Sequence, residues 1–241
     1  MSEGERRVSV ITGSTKGIGK AVAEALLREG DAVVVSSRTP ADVERVAAEL
    51  SDEGSGGVHG IACDVRDPSQ CQRLIDETVE VFGGLDLLVN NAGLGRFARI
   101  HEMDPEDWKR QIQTNLDGVF HCSRAAVPHL IERGGGWILN IGSLASRNSF
   151  SGGVAYNATK FGLLGMTEAM MLDLRHEGVR VSCIMPGSVN THFFEGGPHP
   201  EDEWKLTAED IARVVLDLLA FPERALPSRV EIRPSRPPQE S

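Results

Sequence analysis

The chain is poor in tyrosine, in basic charge and in long apolar runs, and each shortage excludes something. Tyr156 is the only tyrosine among 241 residues, and aromatic side chains make up 5% of the whole. Four cysteines, Cys63, Cys71, Cys122 and Cys183, are scattered with no C-x-x-C pair, which reads as a reduced, intracellular thiol set and not as a disulfide scaffold. The histidines, His59, His101, His121, His129, His176, His192 and His199, show neither H-E-x-x-H nor another compact ligand spacing, so no metal site is expected. Lysine and arginine number 25 against 35 acidic residues, for a formal net charge of −10. That balance speaks against nucleic acid or an anionic membrane surface as a partner, because both carry the same sign of charge. A small phosphorylated ligand, which needs only local cations, stays open. No apolar stretch approaches the ~18 residues of a membrane span, and Val8-Ser-Val-Ile11 is too short for a signal-peptide core. The expected location is the cytoplasm.

What is present is alternation. Short β-branched runs at Val8–Thr12, Ala32–Ser37, Val58–Cys63, Leu85–Asn90, Trp137–Gly142, Val179–Met185 and, more weakly, Arg229–Ile232 read as strands. Several are continuously apolar, as strands covered on both faces are. Between them lie helix-period segments at Gly17–Arg28, Ala41–Ser51, Ser69–Phe82, Pro105–Glu132, Val154–His176 and Ala208–Ala220. Asp104-Pro105 supplies a capping side chain and then a proline at the first helical position, and Thr207 with Asp210 has the spacing of a capping box. The β-α-β-α order predicts an α/β fold: one doubly wound parallel sheet of about seven strands with helices on both faces. At about 150 residues per domain the length gives fewer than two, and a single domain over residues 1–241 is expected, with a mobile tail over 233–241.

The first strand runs into Thr12-Gly13-Ser14-Thr15-Lys16-Gly17-Ile18-Gly19 and then a helix. Three nearby glycines alone mean only a turn. Between a strand and a helix they let the backbone approach a pyrophosphate, whose charge the free N–H groups of the helix start attract. The spacing is G-x-x-x-G-x-G, not the common G-x-G-x-x-G. NAD-binding chains usually place an acid about twenty residues on to hold the adenosine ribose. Here Ser36-Ser37-Arg38 ends the second strand. A guanidinium forks onto a ribose 2′-phosphate where a carboxylate would repel it, and Lys16 offers a second cation, so NADP is expected in preference to NAD. Asp64-Val65 after the third strand can reach an adenine edge. Asn90-Asn91-Ala92-Gly93 after the fourth allows close backbone approach, and both are strand-end positions where such ligands lie.

Tyr156 and Lys160 are four apart on a helix and share one face. Spacing alone describes any surface Tyr and Lys one turn apart. A unit charge ~4 Å from a phenolate, at an effective dielectric near 20, is worth about 4 kcal/mol as an upper figure. That is roughly three pKa units, enough to bring a phenol from about 10 towards 7 and make it an acid/base near neutrality. Ser143 ends the fifth strand in Asn140-Ile-Gly-Ser143, and Asn115 sits inside the long helix, where an amide marks a solvated kink or a special hydrogen bond.

Together, Thr12-Gly13-x-x-x-Gly17-x-Gly19, Asn90-Asn91-Ala92-Gly93, Asn115, Ser143, Tyr156-x-x-x-Lys160 and Pro186-Gly187 resemble the short-chain dehydrogenase/reductase superfamily, in order and spacing, over nearly the whole chain. The glycine spacing is similar to its short-type members. The resemblance implies a Rossmann-type domain with strand order 3-2-1-4-5-6-7, and hydride transfer between nicotinamide and a carbonyl or alcohol carbon. It also implies Tyr156 as acid/base, Ser143 holding the substrate oxygen and Lys160 on the nicotinamide ribose. Asn115 would support a water relay to that lysine, and Val189 and Thr191 would hold the carboxamide.

Residues 188–206 are expected to cover the substrate, with His192, Phe193, Phe194 and Trp204 favouring an apolar or aromatic carbonyl compound if they face it. Leu94–Phe97 and Leu144–Phe150 would frame the same mouth, with Arg96 and Arg147 as candidate anchors for an acidic group. The chain is similar in part to 3-oxoacyl-[acyl-carrier-protein] reductases. However, it has Glu177 where these usually carry a basic residue before a turn glycine, and it lacks their glycine-rich final strand. An NADP(H)-sensing module without activity would lack one catalytic group, and here Asn115, Ser143, Tyr156 and Lys160 are all present. The helix from Phe161 to Leu172 is apolar on most sides, and the resemblance implies a homodimer or homotetramer paired through it and the Pro105–Glu132 helix.

Overall fold

The computed structural model describes residues 6–51, 57–191, 193, 197 and 199–238. Seven strands, β1 (Val8–Thr12), β2 (Ala32–Ser37), β3 (Val58–Ala62), β4 (Leu87–Asn90), β5 (Gly136–Ile141), β6 (Val179–Pro186) and β7 (Arg229–Ile232), form one sheet in the order β3-β2-β1-β4-β5-β6-β7. Every pairing is parallel. The α/β prediction and the implied strand order both hold.

Because side chains alternate across a strand, adjacent residues feed opposite cores. On β1, Ile11 joins a cluster with Leu26 and Leu27 of α1 (Gly17–Arg28) and Ile211 and Val215 of α7 (Ala208–Leu219). Its neighbour Val10 joins another with Leu74 and Ile75 of α3 (Pro68–Phe82) and Cys122 and Leu130 of α5 (Gly118–Glu132). A sheet buried on both faces has no use for polar alternation, which is why the strands read as unbroken apolar runs.

Helix starts follow local chemistry. Asp67 accepts hydrogen bonds from the Ser69 and Gln70 N–H groups ahead of α3, and Asp104 accepts from the Glu106 N–H ahead of α4 (Pro105–Ile112). The Thr207–Asp210 capping box is present. Helices α2 (Pro40–Ser51) and α3 begin one residue earlier than the periodicity suggested, since proline at a first helical position is apolar-neutral and escapes a period count.

The long helix expected at Pro105–Glu132 is not continuous. Residues Gln113–Asp117 form a π-helical turn between α4 and α5. Helix α6 (Val154–Leu174) ends in a tighter turn at Arg175–Glu177, so the expected extension to His176 is not α-helical. Just before the tail, the Gly187 N–H donates to the Ile232 carbonyl at 2.8 Å, and the exposed Arg233 pairs with Glu231 at 2.9 Å. His192, Phe194 and residues 239–241 lie outside the described residues. Among the described residues no helix is long and apolar enough to cross a membrane, and no three potential metal ligands come together.

Candidate active site

The sheet order makes β1 and β4 neighbours although the chain visits β2 and β3 between them, and strand ends at such a switch point open a crevice. The glycine loop lies there and is stapled to β4. Thr12 Oγ1 accepts the N–H groups of Asn91 and Ala92, both at 3.0 Å. In return, Asn91 Nδ2 donates to the carbonyls of Thr12 at 2.9 Å and Gly13 at 3.0 Å. Gly13 has φ +65°, the left-handed region, and a β-carbon there would meet Ala92 Cα at 2.9 Å. A β-carbon at Gly19 would collide with Asn91 Nδ2 and the Gly13 carbonyl.

Within the loop, Ser14 is buried, donates to the Ile11 carbonyl at 2.7 Å and accepts the Ser36 N–H at 2.8 Å. Its hydroxyl is therefore a structural tie between β1 and β2. Thr15 and Ile18 are half-buried, and Lys16 is exposed, as is Arg38 beyond β2. The Ser37 hydroxyl beside Arg38 is buried and has no protein partner. Thr191 is buried against the loop, with Cβ 3.5 Å from where a β-carbon on Gly17 would stand. Val189 and Leu206 form an isolated parallel bridge, so the two ends of the segment between them meet beside Pro186-Gly187.

The Asp64 carboxylate, expected near an adenine edge, is paired with Arg66: the Arg66 Nε donates to both oxygens, at 2.9 and 3.0 Å, and holds the carboxyl below its usual range. The Val65 carbonyl meets His121 Nδ1 at 3.2 Å. Gly93 lies beside Asn115, whose Oδ1 would be 3.5 Å from its β-carbon.

At the other end of the crevice, α6 brings Tyr156 and Lys160 together as the four-residue spacing required, with Lys160 Nζ 5.7 Å from the phenol ring centre. The ammonium is buried and donates to the Ile141 carbonyl at 2.8 Å. Burial lowers its pKa to about 8. The Ser143 hydroxyl hydrogen-bonds the Tyr156 phenol and accepts the Ala145 N–H at 3.1 Å. The expectation of an acidified phenol is overturned for the protein alone: burial pushes the Tyr156 pKa up, and the hydrogen bond from Ser143 only opposes it. The ammonium stands 5.7 Å from the ring centre and donates one of its three N–H groups to Ile141, and desolvation of the phenol outweighs the stabilising contacts.

Asn115 occupies the π-helical turn. Its Oδ1 accepts the Leu94 N–H and its Nδ2 donates to the Leu94 carbonyl, both at 2.9 Å, and Nδ2 also reaches Thr159 Oγ1 at 3.1 Å. The amide thus ties α4–α5, the segment after β4, and α6 into one block. Deeper, Asn90 Nδ2 donates to Ser123 Oγ at 3.0 Å and Asn140 Oδ1 at 2.9 Å, and Asn140 Nδ2 donates to Thr167 Oγ1 at 2.9 Å. This polar rung fixes α6 against β5. A model of the short chain dehydrogenase family matches residues 7–201.

The chain belongs to the short-chain dehydrogenase/reductase superfamily. It is 36% identical over 188 residues to dehydrogenase/reductase SDR family member 4 of Oryctolagus cuniculus, covering 78% of this chain and 72% of that protein. An alcohol dehydrogenase from the archaeon Thermococcus sibiricus, solved with 5-hydroxy-NADP, superposes with a TM-score of 0.91. It is 31% identical, over 98% of this chain and 100% of that one. A metagenomic short-chain oxidoreductase in complex with NADP superposes with a TM-score of 0.83 at 34% identity, over 95% of this chain and 98% of that one. This short-chain dehydrogenase is accordingly an oxidoreductase with a single Rossmann-type sheet.

Two residues expected at the mouth have partners within the chain. Arg147, a candidate anchor for an acidic group, is ion-paired to Glu231 of β7 at 2.9 Å, and Arg233, with Arg147 as the lesser partner, holds that carboxyl below its usual range. Trp204 is half-buried under the Lys205 ammonium, 5.6 Å from its ring centre. Thr159 and Arg66 lie outside the motifs, and Thr12 opens the glycine motif without its side-chain role being legible there. Each acts by holding a neighbour, and a lone hydroxyl on a helix or a cation after a strand carries no spacing signal.

Proposed function

We propose that this short-chain dehydrogenase is an NADP(H)-dependent enzyme interconverting a small-molecule carbonyl compound and its alcohol, with Tyr156 as the acid/base. The observation that carries this reading is the convergence of the Ser143 hydroxyl, the Tyr156 phenol and the Lys160 ammonium at the carboxyl ends of β5 and β6, beside the glycine crevice.

The crevice suits a dinucleotide. Gly13 and Gly19 let the loop backbone pack tightly against Asn91 and Ala92, where a β-carbon would collide, and the Ser37 hydroxyl beside Arg38, which has no protein partner, suits a phosphate at the adenosine ribose. In this reading the backbone of Gly13 to Gly19 takes the pyrophosphate and Arg38 and Lys16 take the 2′-phosphate, giving preference for NADP over NAD. Asp64 and Val65 face the adenine side, Asn91, Ala92 and Gly93 the central backbone, and Pro186, Gly187, Val189 and Thr191 the nicotinamide carboxamide. NADPH supplies the hydride when bound.

The residues of the chain handle the proton. Ser143 holds the substrate oxygen, and Tyr156 donates its phenolic proton to that oxygen as the carbonyl becomes an alcohol. Burial keeps the phenol protonated before reaction, which suits a donor. Lys160 steadies the phenolate left behind, and Asn115 holds the Leu94 segment and α6 in register around it. The exposed Phe120 of α5, with Phe161 and Leu172 of α6, fits a homodimer or homotetramer joined through these helices. The test is NADPH consumption with a carbonyl panel: wild type turns over, and Tyr156→Phe loses ~10²–10⁴-fold in kcat while still binding NADPH by fluorescence. Unchanged turnover in that variant would refute the assignment.

A further inference from the structure

Three phenylalanines from three separate loops meet at the Tyr156 ring. Phe97 follows β4, Phe150 follows β5 and Phe193 follows β6, so all three stand at the carboxyl edge of the sheet. Their ring centres lie 5.5, 6.5 and 5.8 Å from that of Tyr156, at interplanar angles of 69°, 52° and 60°. Phe97 and Phe150 also touch each other, with centres 5.6 Å apart. Phe97 and Phe193 both crowd Gly95, where a β-carbon would meet their ring atoms within 2.9 Å. Despite this contact the rings remain 41%, 47% and 37% exposed. The chain holds only eight phenylalanines, and three of them present apolar faces to the opening above one phenol.

We propose that Phe97, Phe150 and Phe193 form an aromatic collar that selects a substrate with an aryl ring attached to the reacting carbonyl, as in an aryl alkyl ketone or its benzylic alcohol. This rests on the proposed carbonyl–alcohol chemistry at Tyr156 and adds the substrate class. A carbonyl oxygen within reach of Tyr156 and Ser143 places its substituent among the three rings. A flat ring can pack edge-to-face against them, as they already pack against Tyr156. The Arg147 guanidinium already pairs with Glu231, so an acidic substituent would have to compete for it, whereas the three rings offer apolar faces.

The experiment uses the NADPH-loaded protein with three methyl ketones carrying phenyl, cyclohexyl or propyl groups. Burial favours phenyl and cyclohexyl over propyl alike, whereas ring-on-ring packing favours phenyl alone. Packing of about 0.5–1.5 kcal/mol per aromatic pair corresponds to about 2- to 13-fold, so kcat/KM for phenyl should exceed cyclohexyl by up to about tenfold. Phe97→Leu and Phe150→Leu keep apolar volume and should bring that ratio towards one, chiefly through KM for the phenyl ketone. Saturation-transfer NMR on the NADP⁺ complex gives a second readout: aryl protons should receive saturation in the wild type and less in either variant. Reduction of propyl or cyclohexyl ketones at equal or better efficiency than phenyl overturns the aromatic collar and leaves the carbonyl reductase reading standing. Failure to reduce any of these or a broader carbonyl panel overturns both.

Discussion

The side-chain amide of Asn115 closes a two-way clamp on Leu94, accepting its N–H and donating to its carbonyl, both at 2.9 Å. An amide is the one short side chain that can satisfy an N–H and a C=O of the same residue together. Asn115→Asp keeps the acceptor and sets a carboxylate against the Leu94 carbonyl, while Asn115→Ala leaves both backbone groups without it. Each group left unsatisfied costs about 1–3 kcal/mol. We expect both variants to unfold at lower denaturant concentration, and kcat to fall more than KM rises because Tyr156 and Leu94 lose register. Full activity in Asn115→Asp would show the clamp to be irrelevant to the chemistry.

Lys160 gives the fold a pH signature. Its pKa is about 8 in the folded chain against the ordinary lysine value of 10.5. Between those values the unfolded chain binds the extra proton, so stability rises with pH, by up to roughly 3 kcal/mol across the window. Burial of Cys183 pushes its thiol up to about 11, and Tyr156 is also raised. Both act the other way, losing stability as pH climbs above their unfolded values. Denaturant unfolding from about pH 7 to about pH 9 precedes most of that opposition. Wild type should gain stability relative to Lys160→Met over this range, and a flat difference would mean that the ammonium is not desolvated.

Arg38 and Lys16 should set the choice between dinucleotides. Hydrogen bonds to a charged group are worth about 1.5–3 kcal/mol, or about 10- to 150-fold in affinity. Arg38→Ala is expected to raise the NADPH KM by that order while leaving that for NADH little changed. Wild-type efficiency equal for both cofactors would contradict the preference.

Phe120, Phe161 and Leu172 predict association. Light scattering at micromolar concentration should give a dimer or tetramer, and Phe161→Glu together with Leu172→Glu should shift it to smaller species, since desolvating an unpaired carboxylate opposes assembly. A wild-type monomer would contradict the proposed interface.

Much of this was legible in the sequence for physical reasons. Unbroken runs such as Val33-Val34-Val35 serve two cores at once, and the capping pairs at Asp104 and Thr207 mark their own helices. Tyr156 and Lys160 needed only helical spacing to meet. The π-helical turn was half visible: Asn115 stood out as a misplaced amide, but one extra residue in a turn leaves no trace in an apolar period. The fates of Asp64 and Arg147 were invisible because Arg66 and Glu231, the residues that claim them, are ordinary surface charges in sequence. Spacing gives the charge that would acidify the Tyr156 phenol but not the extent of the burial that opposes it, which here wins.

The three rings of the collar belong to neither apolar cluster of the sheet. The groups assigned to proton transfer are anchored differently, through the Ile141 carbonyl, the Asn115 amide and the Asn90–Asn140 rung. On the proposed collar, divergence in what the chain accepts would therefore be largely separate from divergence in how well it folds. A lineage can exchange Phe97 or Phe150 to explore new compounds while the thermodynamic reserve of the scaffold stays intact.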